Sequence, residues 1–408
     1  MWVRGLRADD VDTTGPVDDA ATMTPSSTVA ADRAATPSST RSATYFAGPF
    51  VDAMFLGGFS ILFFVYIRFG IVFLDHNSGA EDATFLGNSA ARWALMAFWI
   101  LNWPHFAATS YRLYRSRETT SQFPITAWVV PVVVGLGVVG SLASPSGFAP
   151  WFVKAFFIWS PYHFSGQTIG LTLLYARRSG FEVTPLLRSS LTWFVYATCL
   201  EFQARIEIPG VDLTFFDVVM PSIGLPLWVL TVTNWAVIGL GCVLAVALID
   251  ALRRSAVPMP VIFLVPALAQ LVWFNLSVGT WRTDSYFEFV NLFHSVQYLF
   301  IAWFLQMRER QIRTGRQGSW LMLARESAVW GLGIFLIGAF MFRWSGQLIS
   351  SVTAVSFGVA IAVMTAAFQL HHFFVDGVIW KLRDPKVRGA LSTTLGELTG
   401  RRSAGSVG

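Results

Sequence analysis

The sequence predicts an all-α, polytopic transmembrane helix bundle of about ten spans, with both termini in the cytoplasm. Three observations predict it. The first is composition: 54% of the 408 residues are hydrophobic and only 13% are charged, with a mean hydropathy of +0.54. A soluble domain of this size needs more charge on its surface. The second is a series of apolar runs of about 20 residues, the length that crosses a hydrocarbon core. They lie near 53–74, 91–113, 126–144, 150–176, 184–202, 225–250, 259–280, 285–306, 320–342 and 350–380. The fifth is crowded at its end by Glu201 and Arg205.

The third observation is charge asymmetry between the loops. Arg112, Arg115 and Arg117 follow the second run, Arg177 and Arg178 the fourth, and Arg253 and Arg254 the sixth. Arg308, Arg310, Arg313 and Arg316 follow the eighth, and Lys381, Arg383, Lys386 and Arg388 the tenth. The loops between are acidic or bare, with Asp75, Glu81 and Asp82 after the first run and Asp212 and Asp217 after the fifth. The positive-inside rule therefore expects an inner-membrane, multi-pass protein in which every even-numbered helix runs from outside to inside.

The flanks read differently from the middle. Residues 1–44 are rich in Ala, Thr, Ser, Pro and Asp without an apolar block. They are expected to form a disordered cytoplasmic tail, since a signal peptide needs a continuous apolar core. Residues 45–385 form the transmembrane domain, and 386–408 read as a polar C-terminal tail. Trp380 and the basic residues after it anchor the last helix at the interface, and Pro385 stops it. The 17 Trp and 36 Phe suit lipid-facing and interfacial positions, and a net charge of +5 suits anionic lipid. Basic residues are scattered among short loops, so a nucleic-acid partner is not expected. Cys199 and Cys242 fall in apolar stretches without a Cys-x-x-Cys spacing and read as small packing residues. The sequence assigns no oligomeric state.

Six histidines occur. His76 is placed in the first outer loop. His105, His163, His294 and the pair His371 and His372 lie in the second, fourth, eighth and tenth runs, which all run in one direction. From each to its first cytoplasmic basic residue is about seven positions for His105, fourteen for His163 and His294, and nine for His372. At about 1.5 Å per residue, these lie within roughly 10 Å of a common depth. Four imidazole-bearing helices at one level are what a metal site in a helical bundle requires, and ionisable groups inside spans mark function.

A polar residue follows each histidine at helical spacing: Thr109 after His105, Gln167 after His163, Gln297 after His294 and Asp376 after His372. Residues three or four apart share a face, and a metal-bound imidazole donates its other ring N–H to such a partner, on its own helix or a neighbouring one. His371 points about 100° around the helix from His372, so one ion is not expected to take both; Asp376 favours His372. Pro104 and Pro161 precede two of the histidines and are expected to loosen the backbone one turn earlier.

Neutral imidazole suits iron, copper, zinc or nickel, and without a nearby cysteine iron–sulfur chemistry is excluded. A site below the headgroups, walled by Phe and Trp, is placed for an apolar, membrane-soluble substrate such as a carotenoid, acyl chain or sterol. Iron is the expected cofactor, with copper or zinc as alternatives, because iron on several histidines with an open position binds O2. An oxygenase or desaturase is the leading class.

The segments Trp103-Pro-His-Phe, Tyr162-His-Phe-Ser-Gly-Gln, Phe293-His-Ser-Val-Gln-Tyr and His371-His-Phe-Phe-Val-Asp resemble the four histidine segments of the bacterial Brp/Blh-type β-carotene dioxygenases. They occur in the same order along the chain. The resemblance implies a polytopic membrane protein with a non-haem iron on His105, His163, His294 and the His372–Asp376 motif. The family has an Asp where this chain has Thr109, and a second His where it has Tyr298. Tyr298 is then a lost ligand turned substrate contact, unless His371 or His372 replaces it. Two other classes compete. A b-type haem protein also needs intramembrane histidines, and a proton- or metal-coupled transporter would use these polar groups as a relay. No internal repeat supports the transporter.

Overall fold

The computed structural model describes residues 44–77, 80–209, 213–276, 286–315, 318–380 and 385–400. It is all-α apart from one small hairpin. Among the described residues the apolar runs of the sequence lie mainly on helix, with a break at 353–356 in the tenth. The first begins as α1 (Pro49–Ala53) and passes through a π-helical turn, Met54–Gly58, into α2 (Phe59–Asn77). Then come α3 (Ala80–Tyr114), the short α4 (Arg117–Gln122), α5 (Val130–Ala143), α6 (Ala149–Ser179) and α7 (Pro185–Ile206). The hairpin β1 (Leu213–Phe215) and β2 (Val218–Met220) precedes α8 (Leu227–Arg254). The seventh run is broken into a 3-10 turn, Val261–Phe263, α9 (Val265–Leu271) and a π turn, Val272–Leu276. There follow α10 (Tyr286–Thr314), α11 (Trp320–Ala339), α12 (Ser345–Val352) and α13 (Phe357–Ile379).

Among the described residues, five helical stretches are long and apolar enough to cross a membrane: Pro49–Gly70, Ile125–Ala143, Leu227–Arg254, Trp320–Val352 and Phe357–Ile379. The long helices α3, α6 and α10 are less apolar because they carry the polar residues described below. Helix α13 is the central one, with 72% of its most apolar window buried; α8, at 22%, turns most of its surface outward. Cys199 is buried, whereas Cys242 on α8 is exposed.

Two expectations are corrected. His76 belongs to the last turn of α2 rather than to a loop, because helical hydrogen bonding continues past the apolar run to Asn77. The polar tail expected from Lys386 onward is, up to Gly400, folded onto the helix ends as α14 (Pro385–Ala390) and α15 (Leu395–Leu398). Val387, Ala390, Leu391 and Leu398 are buried there. The amide of Leu395 donates to Phe46 O at 2.7 Å. The buried Arg178 guanidinium donates to the carbonyls of Thr44 (3.0 Å), Tyr45 (3.1 Å), Thr393 and Leu391. An arginine that donates to carbonyls of both segments ties the two ends of the domain together, a role its five-donor fork suits better than an ammonium.

The opposite end is fastened by a buried ion pair. Lys154, near the start of α6, bonds Glu207 at the end of α7 at 2.6 Å and Pro221 O at 3.0 Å. Glu207 also accepts from the Ile223 amide at 3.0 Å. With its lone pairs occupied the carboxylate tolerates burial, and the segment after the hairpin is held in place. Ser356, the N-cap of α13, donates to Asp217 in the hairpin turn at 2.7 Å.

Candidate metal centre

Helices α3, α6, α10 and α13 bring His105, His163, His294 and His372 to one point. All four are buried, none more than 9% exposed. The Nε2 atoms of His105 and His372 are 3.0 Å apart, and those of His372 and His163 are 3.2 Å apart. The ring of His294 packs 4.9 Å from that of His105 and 5.0 Å from that of His163. Ligand atoms of His105, His294 and His372 all lie within 4.8 Å of one another, and so do those of His163, His372 and Asp376. Asp376 Oδ2 stands 3.3 Å from His372 Nε2 and 3.7 Å from His163 Nε2.

These separations can be compared with coordination. Two nitrogens about 2.1 Å from one ion, at angles between octahedral and tetrahedral, are about 3.0–3.4 Å apart. The two closest imidazole pairs have that spacing. Hydrogen bonding alone accounts for it poorly, because His372 Nε2 carries at most one proton and faces His105, His163 and Asp376 together. His294 Nε2 is buried and has no hydrogen-bond partner among the described residues, which is costly unless something else meets its lone pair.

The tautomer of His105 follows from its surroundings. Its Nδ1 is 3.0 Å from Ser295 Oγ. The Ser295 hydroxyl has one proton and two closer acceptors, Asn102 Oδ1 at 2.6 Å and Asn291 O at 2.7 Å. It therefore accepts from His105 Nδ1–H, and Nε2 is left as a bare lone pair aimed into the cluster. This is the arrangement that orients a metal-bound imidazole.

The residue four positions after each histidine lies in a second layer, about 6 Å further along the helices. Thr109 Oγ1 is 2.5 Å from the Tyr298 hydroxyl and 3.2 Å from Asp376 Oδ1. Trp380 Nε1 donates to the same oxygen at 3.2 Å. With one proton on each hydroxyl, Tyr298 donates to Thr109 and Thr109 to Asp376. Gln167 and Tyr298 line the cleft that opens from this layer, together with Asp376 and the apolar Leu171, Leu174, Ile301, Trp380 and Leu391. Its volume is about 60 Å³. Since residues C-terminal to three of the histidines line one cleft, these helices run in the same direction.

Several sequence expectations meet a different geometry. Gln167 and Gln297 do not bond imidazoles. Gln167 donates to His294 O at 3.1 Å and to Gln297 Oε1 at 3.0 Å, and Gln297 donates to Leu56 O at 2.9 Å. The acceptor at Leu56 lies in the π turn, where the helical pattern slips. The slip centres on Gly57, whose φ of 151° requires glycine and whose added Cβ would come 2.9 Å from Ala269 Cβ. Thr109 serves Tyr298 and Asp376 rather than His105. His371 stands outside the cluster, with Nε2 3.1 Å from the Tyr114 hydroxyl, because consecutive side chains on a helix diverge. The Tyr298 ring stacks on His105 with centroids 4.2 Å apart.

The prolines act as helix physics requires. Pro161 cannot donate to Phe157 O, four residues back. Gln203 of α7 reaches across and donates to Phe157 O at 3.3 Å and Ile158 O at 3.0 Å. Ser295 and Asn102 were not singled out in the sequence; Asn102 shares a face with His105 at three residues' remove, and that spacing was the signal available, whereas Ser295, next to His294, points about 100° away from it.

No protein-family model, curated protein or solved structure matches the chain, so the reading of this centre rests on its own geometry.

Proposed function

We propose that the chain is a ten-span inner-membrane metalloenzyme, with both termini cytoplasmic, that uses a His-bound iron and O2 to oxidise an apolar lipid or carotenoid. The observation that carries this reading is the convergence of four buried imidazoles with one tautomer fixed by Ser295 and one Nε2 left without a partner among the described residues. His105, His163, His294 and His372 would hold the ion, with Asp376 as a fifth donor. Iron in such a set supplies O2 binding and one-electron chemistry.

The chain's own groups then have defined tasks. Leu171, Leu174, Ile301 and Trp380 give the substrate an apolar wall that excludes water. Tyr298 presents its hydroxyl to the cleft and, through Thr109, can pass a proton to Asp376 Oδ1. Gln167 and Gln297 fasten α6, α10 and the π turn around His294. The four resemblance segments each contribute an imidazole to this centre, which supports a carotenoid-dioxygenase-like enzyme. A haem needs two imidazoles on opposite faces of a macrocycle, and four in one small volume disfavour it.

The test is metal content and an absorption spectrum of detergent-purified protein, wild type beside His294→Ala. Iron bound by the wild type and lost from the variant, without a Soret band, is expected. A Soret band would replace this reading with haem. Folded protein free of metal after reconstitution with ferrous iron would overturn it.

A further inference from the structure

Three residues before each histidine, the four helices carry a second set of polar side chains: Asn102 before His105, Ser160 before His163, Asn291 before His294 and Gln369 before His372. All four are no more than 1% exposed. A spacing of three keeps each on the face of its histidine. Since the helices run in parallel, the four residues form a layer about 4.5 Å to the N-terminal side of the imidazoles. No charged residue belongs to it.

The layer contains more hydrogen-bonding capacity than its members use on one another. Asn102 Oδ1 accepts from Ser295, and Ser160 donates to Phe156 O at 2.8 Å. Gln369, however, has neither its amide nitrogen nor its amide oxygen bonded to any described residue, and Asn102 Nδ2 has no acceptor. His372 Nδ1 is likewise without a partner among the described residues. A primary amide left bare in a protein interior costs about 1–3 kcal/mol in each unmade bond, and a membrane interior offers no bulk water to relieve it.

We propose that this layer is a binding site for ordered water, and that one water bridges Gln369 Oε1 to His372 Nδ1–H. The ligand must be small, because the residues are fully enclosed, and neutral, because nothing in the layer balances a charge. It must also both donate and accept, since Gln369 and Asn102 offer N–H donors and Gln369 a carbonyl acceptor. Water meets all three conditions, and two to four polar partners are what a buried water requires. Side chains on a helix lean toward its N-terminus, the side on which Gln369 precedes His372 by three residues, so a water can stand in place of the direct bond. Such a bridge does for His372 what Ser295 does for His105: it holds the proton on Nδ1 and leaves Nε2 as the lone pair. Gln369 is then a positioning residue. The water layer stands whether or not the histidines hold iron; only the consequence for His372 rests on that reading.

The test compares thermal unfolding of the purified wild type with Gln369→Ala and Gln369→Met. In a hydrated layer alanine leaves room for a further water and is tolerated, whereas methionine displaces water and strands Asn102. The expected order of stability is wild type, then Ala, then Met, with steps of about 2–4 °C. A dry layer gives the reverse: methionine fills the space and removes an unpaired amide, while alanine leaves a cavity, so Met stands highest and Ala lowest. The second measurement is a high-resolution density map of the wild-type protein, which does not depend on the variants folding. A peak within about 3.2 Å of both the Gln369 amide and His372 Nδ1 is expected. Carbon packed against that amide, or Met as the most stable of the three, would overturn the proposal.

Discussion

At the scale of single residues, the centre depends on side chains that hold imidazoles as much as on the imidazoles. Ser295 decides which nitrogen of His105 is bare, because its own proton is committed to Asn102 and the Asn291 carbonyl. If the centre holds iron as proposed, Ser295→Ala should therefore leave the fold intact and weaken iron binding about 10–100-fold. Ser295→Thr, which keeps the hydroxyl, should retain most of the affinity. Competition with a chelator measures both, and an unchanged affinity in the alanine variant would refute the tautomer argument. The histidines and Asp376 were legible in the sequence, because an ionisable residue in an apolar run stands out and a spacing of four puts two side chains on one face. Their partners were less so. Gln167 and Gln297 have the right spacing but reach a carbonyl on another helix, and a one-dimensional pattern contains no record of which helix lies opposite. The layer of Asn102, Ser160, Asn291 and Gln369 was also overlooked, since small uncharged polar residues are common in membrane helices and signal little one at a time.

At the scale of elements, the same physics explains how α6 tolerates a proline in its middle. Pro161 frees the Phe157 carbonyl and Gln203 on α7 takes it up, so the proline and the glutamine are one device on two helices. Gln203→Leu should destabilise the protein by about 1 kcal/mol by leaving the part-buried Phe157 carbonyl unpaired. In a Pro161→Ala background the backbone N–H of residue 161 returns to Phe157 O, and the same substitution should cost less, by about 1 kcal/mol. Unfolding of the four proteins in mixed micelles closes the cycle. Equal costs in both backgrounds would show that the two residues act independently. The proline was legible as a place where the helix must give way. Its remedy was not, because Gln203 sits in the run whose polar end, with Glu201 and Arg205, read only as crowding. In the structure Arg205 pairs with Glu201, and Glu201 also accepts from Asn275 at 2.5 Å, so the crowding is itself a contact between α7 and the π turn that follows α9.

At the scale of the whole molecule, the helices that build the site are fastened at both ends. Lys154 and Glu207 fasten one end. If the pair holds the segment after the hairpin in place, Lys154→Met should cost about 3–5 kcal/mol by leaving Glu207 buried and unpaired. The double variant Lys154→Met with Glu207→Leu should recover much of that loss in the same unfolding assay; a single variant as stable as the wild type would dismiss the pair as a fastening. The other end is covered by residues 385–400, which a reading of composition treats as a tail because their polar content hides four buried apolar side chains. Leu391 forms part of the cleft wall, and Arg178 holds the carbonyls on either side of the cover. If this segment seals the cleft, a cysteine placed at Leu174, which is 5% exposed on the cleft wall, should resist a water-soluble maleimide in the full chain. Ending the chain after Ala390, or substituting Arg178→Ala, should make that cysteine reactive while the helix content measured by circular dichroism is kept. Equal labelling in the full and shortened chains would mean that the cleft is already open to water at this end. An apolar substrate would then have no need to arrive through lipid. Resistance in the full chain leaves the bilayer as its route, which is the route that a centre walled by leucine, isoleucine and tryptophan is built to serve.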